Sequence, residues 1–83
     1  MTEEITYRCP CCGYLTLPYE ASFEICHVCF WQDDGQGDTS ATEVWGGPNH
    51  DLSLAQARRN YQEFGACSRD FLASVRPPRP EEL

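Results

Sequence analysis

At 83 residues the chain amounts to one domain, near the size at which a hydrophobic core alone leaves a margin of only ~3–5 kcal/mol and a metal or disulfides commonly supplement it. Its net charge of −7 is unevenly spread: there is no Lys anywhere and no Arg between Cys9 and Ala57, yet that stretch carries Glu20, Glu24, Asp33, Asp34, Asp38, Glu43 and Asp51. So few cations cannot neutralise phosphates, which excludes nucleic acid as a partner, and no run approaches the ~20 apolar residues of a membrane span.

Met1-Thr2-Glu3-Glu4 is acidic and no apolar run follows it, so the expected compartment is the cytoplasm. Reducing conditions there favour metal ligation over disulfides for six cysteines. Ile5-Thr6-Tyr7-Arg8 alternates apolar and polar residues and reads as a short strand. It leads into Cys9-Pro10-Cys11-Cys12-Gly13, where Cys9 and Cys12 form a Cys-x-x-Cys pair. Tyr14-Leu15-Thr16-Leu17 is a second strand, ended by Pro18. Phe23-Glu24-Ile25 is expected as a third, return strand into the second pair, Cys26-His27-Val28-Cys29.

A Cys-x-x-Cys turn brings two sulfurs to one side of a tight loop, so each pair fills half of a tetrahedron. Two pairs at this separation indicate one four-thiolate Zn2+ site, with Cys9, Cys12, Cys26 and Cys29 as ligands and sulfur ~2.3 Å from the metal. Pro10 stiffens the first turn, and Gly13 permits a positive φ there. Four protein ligands leave no coordination position open for water, which argues against an enzyme and for a structural metal.

Phe30-Trp31 follows the last ligand, placed to cover the sulfurs or, alternatively, to meet a partner. Residues 32–42 read as an acidic loop whose spacing does not fit a calcium-binding EF-hand. Val44-Trp45 is a small apolar patch and residues 46–49 a turn. An amphipathic helix is predicted over 53–64, capped by Ser53 with Gln56 completing a capping box. Leu54, Ala57, Tyr61 and Phe64 form its apolar face, and Gly65 ends it. That face is expected to pack on the metal-bearing half against Phe30, Trp31 or Trp45, or else to receive a partner. A second short helix is predicted over 68–75.

These elements give an α+β zinc-ribbon-like domain over residues 1–75, with short antiparallel strands around the metal and one amphipathic helix alongside. A Pro-rich disordered tail is expected over 76–83. Cys11 and Cys67 are spare thiols, read as free, with Cys11 pointing away from the metal. The competing reading makes Cys11 a redox-active or metal-responsive thiol. His27 reads as a solvent-facing turn residue, and His50 has no partner apparent in the sequence.

Cys-Pro-Cys-Cys-Gly-Tyr at 9–14, Glu-Ile-Cys-His-Val-Cys-Phe-Trp-Gln-Asp-Asp at 24–34, Gly-Gly-Pro-Asn at 46–49 and the helical segment at 52–66 together resemble the bacterial cysteine-rich CPCC family. The resemblance spans about residues 7–71, with His27 where that family usually has proline. It implies a zinc-binding fold and brings no activity with it. The function expected is a monomeric structural-zinc module that offers its acidic loop and aromatic edges to a protein partner, a basic one on grounds of charge.

Overall fold

The computed structural model describes residues 5–83 and shows a small α+β domain. Its two strands are β1 (Tyr7–Arg8) and β2 (Leu15–Leu17), paired antiparallel as Tyr7 with Leu17 and Arg8 with Leu15, with a register irregularity between the two pairs. Thr6 extends the hairpin: its N–H donates to the Leu17 carbonyl at 3.2 Å and its hydroxyl to that of Pro18 at 2.9 Å.

The expected third strand does not form. Ala21 (φ 56°) and Phe23 (φ 60°) both adopt the left-handed region, which breaks the pleat. Instead the chain folds back around the second cysteine pair. Ile25 bridges Gln32, Phe23 N–H donates to the Asp33 carbonyl at 3.0 Å, and Asp33 N–H donates to that of Glu24 at 3.1 Å.

Helix α1 spans Leu54–Phe64. Ser53 caps it as predicted, its Oγ accepting from Gln56 N–H at 3.1 Å. The Gln56 side chain turns to Asn60 at 2.8 Å, so the reciprocal half of the capping box is absent. Gly65 ends the helix at φ 87°, donating to the Tyr61 carbonyl. Among the described residues, no helix is long and apolar enough to cross a membrane.

The face that α1 buries begins with Leu54 and Ala57, which join Trp31, Leu17, Val28, Cys9, Cys26 and Cys29 in one cluster. Tyr61 lies edge-on to Tyr14, ring centroids 6.3 Å apart. Of the three expected counterparts, Trp31 is wholly buried, Phe30 packs on Phe71 at 4.8 Å, and Trp45 stays exposed. Ala55 N–H, a first-turn donor without an intrahelical acceptor, finds the Ala41 carbonyl at 2.8 Å and ties the acidic loop to the helix. Arg58 donates to the Pro10 carbonyl at 2.7 Å and to Asp38 at 2.8 Å, joining helix, first cysteine turn and loop. The second short helix is reduced to a 3-10 turn at Arg69–Phe71, capped by Ser68.

The tail departs from the disordered extension expected over 76–83. Arg76 N–H donates to the His27 carbonyl, and the Arg76 guanidinium makes two bonds of 2.8 Å to the Glu82 carboxylate. Residues Pro80–Glu82 form a 3-10 turn against β2, and Arg8 reaches the Leu83 carbonyl at 3.2 Å. Arg76 beside it holds the Glu82 carboxyl down at about 2, below its ordinary 4.5. A depressed folded-state value means stabilisation that is complete above the unfolded value and lost as pH falls towards about 2. Arg76→Gln should therefore lower stability by about 1–2 kcal/mol at pH 7, with allowance for partial solvent screening. Denaturant titration of metal-loaded protein checks this, and the gap should narrow once the pH drops below about 4.5. Equal stabilities at pH 7 would show that the pair does not pin the tail.

Candidate metal centre

Both cysteine turns are built by one backbone scheme. In the first, Cys9 N–H donates to the Tyr14 carbonyl at 2.9 Å and Gly13 N–H to that of Cys9 at 2.8 Å. In the second, Cys26 N–H donates to the Trp31 carbonyl at 2.9 Å and Phe30 N–H to that of Cys26 at 2.6 Å. The residue four places after the leading cysteine must turn left-handed. Gly13 does so at φ 82° without steric penalty, and Phe30 does so at φ 72° despite its side chain.

The two turns face one another. The sulfurs of Cys9, Cys12, Cys26 and Cys29 all lie within 4.8 Å of each other, with Cys9 to Cys29 at 3.6 Å and Cys12 to Cys26 at 3.7 Å. A tetrahedron with sulfur ~2.3 Å from its centre has edges of about 3.8 Å; two sulfur pairs already match that edge, and the other pairs lie no farther apart than 4.8 Å. All four sequence-predicted ligands are thus brought together and can hold a metal. Cys9, Cys26 and Cys29 are buried, while Cys12 is partly open to solvent.

Cys26 Sγ lies 3.7 Å from Cys12 Sγ and accepts from the Thr16 hydroxyl. The neighbouring thiols, Cys12 first, hold the Cys26 thiol below its ordinary range. Cys9 and Cys12 are pushed up, Cys9 chiefly through Cys12 and Cys12 chiefly through Cys26.

Thr16, on β2, was not singled out in the sequence. Its hydroxyl donates to the Cys26 sulfur at 3.0 Å, the kind of contact that orients a metal-binding sulfur. The only sequence signal for it is a hydroxyl residue on the strand leaving the first cysteine turn. Thr16→Val should weaken metal affinity about tenfold or more, read by competition with a chromophoric chelator. Unchanged affinity would mean that this contact does not tune the centre.

The remaining candidates lie outside the four-sulfur set. Cys11 is nonetheless the largest influence pushing the Cys29 thiol up. It is only 8% exposed. Cys67 is buried, its N–H donating to the Cys29 carbonyl at 2.8 Å, and burial pushes its thiol up to about 12. His27 is exposed at the crest of the second turn, as expected. His50 lines a cavity of about 90 Å³ with Asp51, Cys67, Asp70 and Phe71.

The acidic loop is not the solvated run that the sequence suggested. Asp33 is buried, its Oδ2 accepting from Ala21 N–H at 2.7 Å and its Oδ1 from Gly35 N–H at 3.3 Å, so it clamps the chain beside the second turn. Gln36 is buried as well and donates to the Ser40 and Glu43 carbonyls.

The model of the family described as cysteine-rich CPCC matches residues 7–82, which takes in both cysteine turns, α1 and nearly all of the ordered tail. No curated protein and no solved structure matches the chain.

Proposed function

The chain belongs to the cysteine-rich CPCC family, and from that premise we propose that it is a cytoplasmic, monomeric, non-enzymatic module held together by one structural Zn2+ and built to bind another protein. The observation that carries the metal reading is the set of sulfur separations in the Cys9, Cys12, Cys26 and Cys29 cluster. Bound there, the ion supplies a cross-link between the two halves of the fold, and the protein supplies four thiolates with Thr16 behind one of them. Tetrahedral sulfur suits zinc or iron. Zinc is preferred because a structural role calls for no redox chemistry.

The partner reading rests on a surface rich in carboxylates and on large exposed side chains that include Tyr19, Phe23, Val44 and Trp45. Thiol redox chemistry through Cys11 has less support, since Cys11 and Cys67 are both shielded from solvent. Loss of peroxide-dependent disulfide formation in Cys11→Ser, with metal retained, would restore it.

Elemental analysis with thiol alkylation tests the proposal on reduced protein. One zinc per chain is expected, with all six thiols reacting only after chelation and unfolding. Iron instead of zinc, or no metal at all, would overturn the structural-zinc reading.

A further inference from the structure

The structure divides the carboxylates of the cation-free stretch by what they touch. Asp33 is engaged by Ala21 and Gly35 N–H groups, and Asp34 by Gln36 N–H at 3.1 Å and the Asn49 amide at 3.4 Å. Asp38 is paired with Arg58. Glu20 and Glu24 are exposed and have no side-chain hydrogen bond among the described residues; Glu43 accepts only from Trp45 Nε1, at 3.0 Å.

The residues that flank these three glutamates in the chain, or bond to them, meet around Gly35. A Cβ placed on Gly35 would lie 3.5 Å from that of Ala21 and 3.7 Å from Cζ3 of Trp45, so the indole lies across this turn beside Ala21. Phe23 is held to the same turn by its N–H to the Asp33 carbonyl and by the Gln32 amide, which donates to the Phe23 carbonyl at 2.9 Å. Phe23 is 56% exposed and Trp45 48%, and Trp45 is fixed by its bond to Glu43. Two exposed aromatic side chains, with Glu43 bonded to one and Glu20 and Glu24 next in the chain to Ala21 and Phe23, form a surface that attracts cations twice over, through the negative ring faces and through the carboxylates. Guanidinium fits both at once, because it stacks flat on an indole and donates in a planar fork to a carboxylate. Phosphate-bearing partners are repelled by the same charge.

We propose that this surface docks an extended, arginine-bearing segment of a partner protein. One guanidinium lies on Trp45 beside Glu43, and neighbouring cations are met by Glu20 and Glu24. The inference rests on the interaction-module reading and names its surface and the chemistry of its partner.

The probe is an arginine-glycine repeat peptide, titrated into isotope-labelled protein already shown to hold its metal. Amide and indole shifts should concentrate on residues 20–24, 35 and 43–45. The corresponding lysine-glycine peptide should bind several-fold more weakly. Trp45→Ala should weaken binding on the order of tenfold, and Glu20→Gln with Glu24→Gln should weaken it and flatten its salt dependence. Asp38→Asn should leave it unchanged. These side chains are exposed, so the variants keep the spectrum of α1, which is checked in the same samples. Shifts on the 36–42 loop, shifts spread evenly, self-association in place of peptide binding, or full affinity in Trp45→Ala would each overturn the inference. Metal content is read without any peptide, so failure here leaves the structural-zinc reading standing, and failure there is visible before a peptide is added.

Discussion

Cys26→Ser is expected to yield a chain with neither bound metal nor a cooperative unfolding transition. Cys26 Sγ lies 3.7 Å from Cys12 Sγ and accepts from the Thr16 hydroxyl, so its removal takes away one of the four clustered sulfurs and leaves that hydroxyl without its acceptor. A serine oxygen is a poor replacement for thiolate at a tetrahedral sulfur site. Metal coordination in small thiolate domains contributes about 10–16 kcal/mol of apparent free energy at neutral pH, against the ~3–5 kcal/mol that a core of this size supplies alone. The first figure exceeds the second several-fold, so most of the fold's stability goes with the site. Elemental analysis and amide spectra of Cys26→Ser decide the matter, with chelation of the native protein as a parallel measurement. A metal-free variant that still unfolds cooperatively would show that the apolar core suffices.

Trp31→Ala should have the next largest effect. Trp31 is the largest wholly buried side chain, and it shares one cluster with Leu17, Val28, Leu54 and Ala57 while its carbonyl receives Cys26 N–H. Truncating such a residue costs about 3–5 kcal/mol through lost burial and the cavity left behind. That is comparable to the whole contribution of the apolar core. The variant should keep its metal stoichiometry, unfold at much lower denaturant and surrender metal to a chelator faster. Trp31→Phe should recover most of the loss. The Trp31 Nε1–H is buried without an acceptor, so a phenyl ring discards a donor that gains nothing in place. Stability within about 1 kcal/mol of native in Trp31→Ala would place the core's weight elsewhere.

What could be read from the sequence is what short-range chemistry dictates. The Cys-x-x-Cys spacing picked out the four cysteines that cluster because two sulfurs that close in sequence are necessarily close in space. Leu54, Ala57, Tyr61 and Phe64 recur at helical spacing between Ser53 and Gly65, which gave α1 its face and both ends. The missing third strand left no sequence sign, because the residues that break it are Ala21 and Phe23 rather than glycines. Asp33 looked like its solvated neighbours because the groups that bury it are backbone N–H donors, which a sequence does not display. The tail was misread on composition. Its prolines suggested an extended chain, and the pairing of Arg76 with Glu82 follows no regular secondary-structure spacing.

Phe30 makes the two cysteine turns unequal. Gly13 holds its left-handed turn at no cost, and Pro10 narrows the alternatives open to the Cys9/Cys12 loop. Phe30 holds the equivalent turn at φ 72° against a penalty of about 1–2 kcal/mol, offset by its N–H bond to the Cys26 carbonyl and its ring on Phe71. Of two turns with one hydrogen-bond scheme, one is relaxed and the other strained, and the strain sits beside the two sulfurs that are wholly buried.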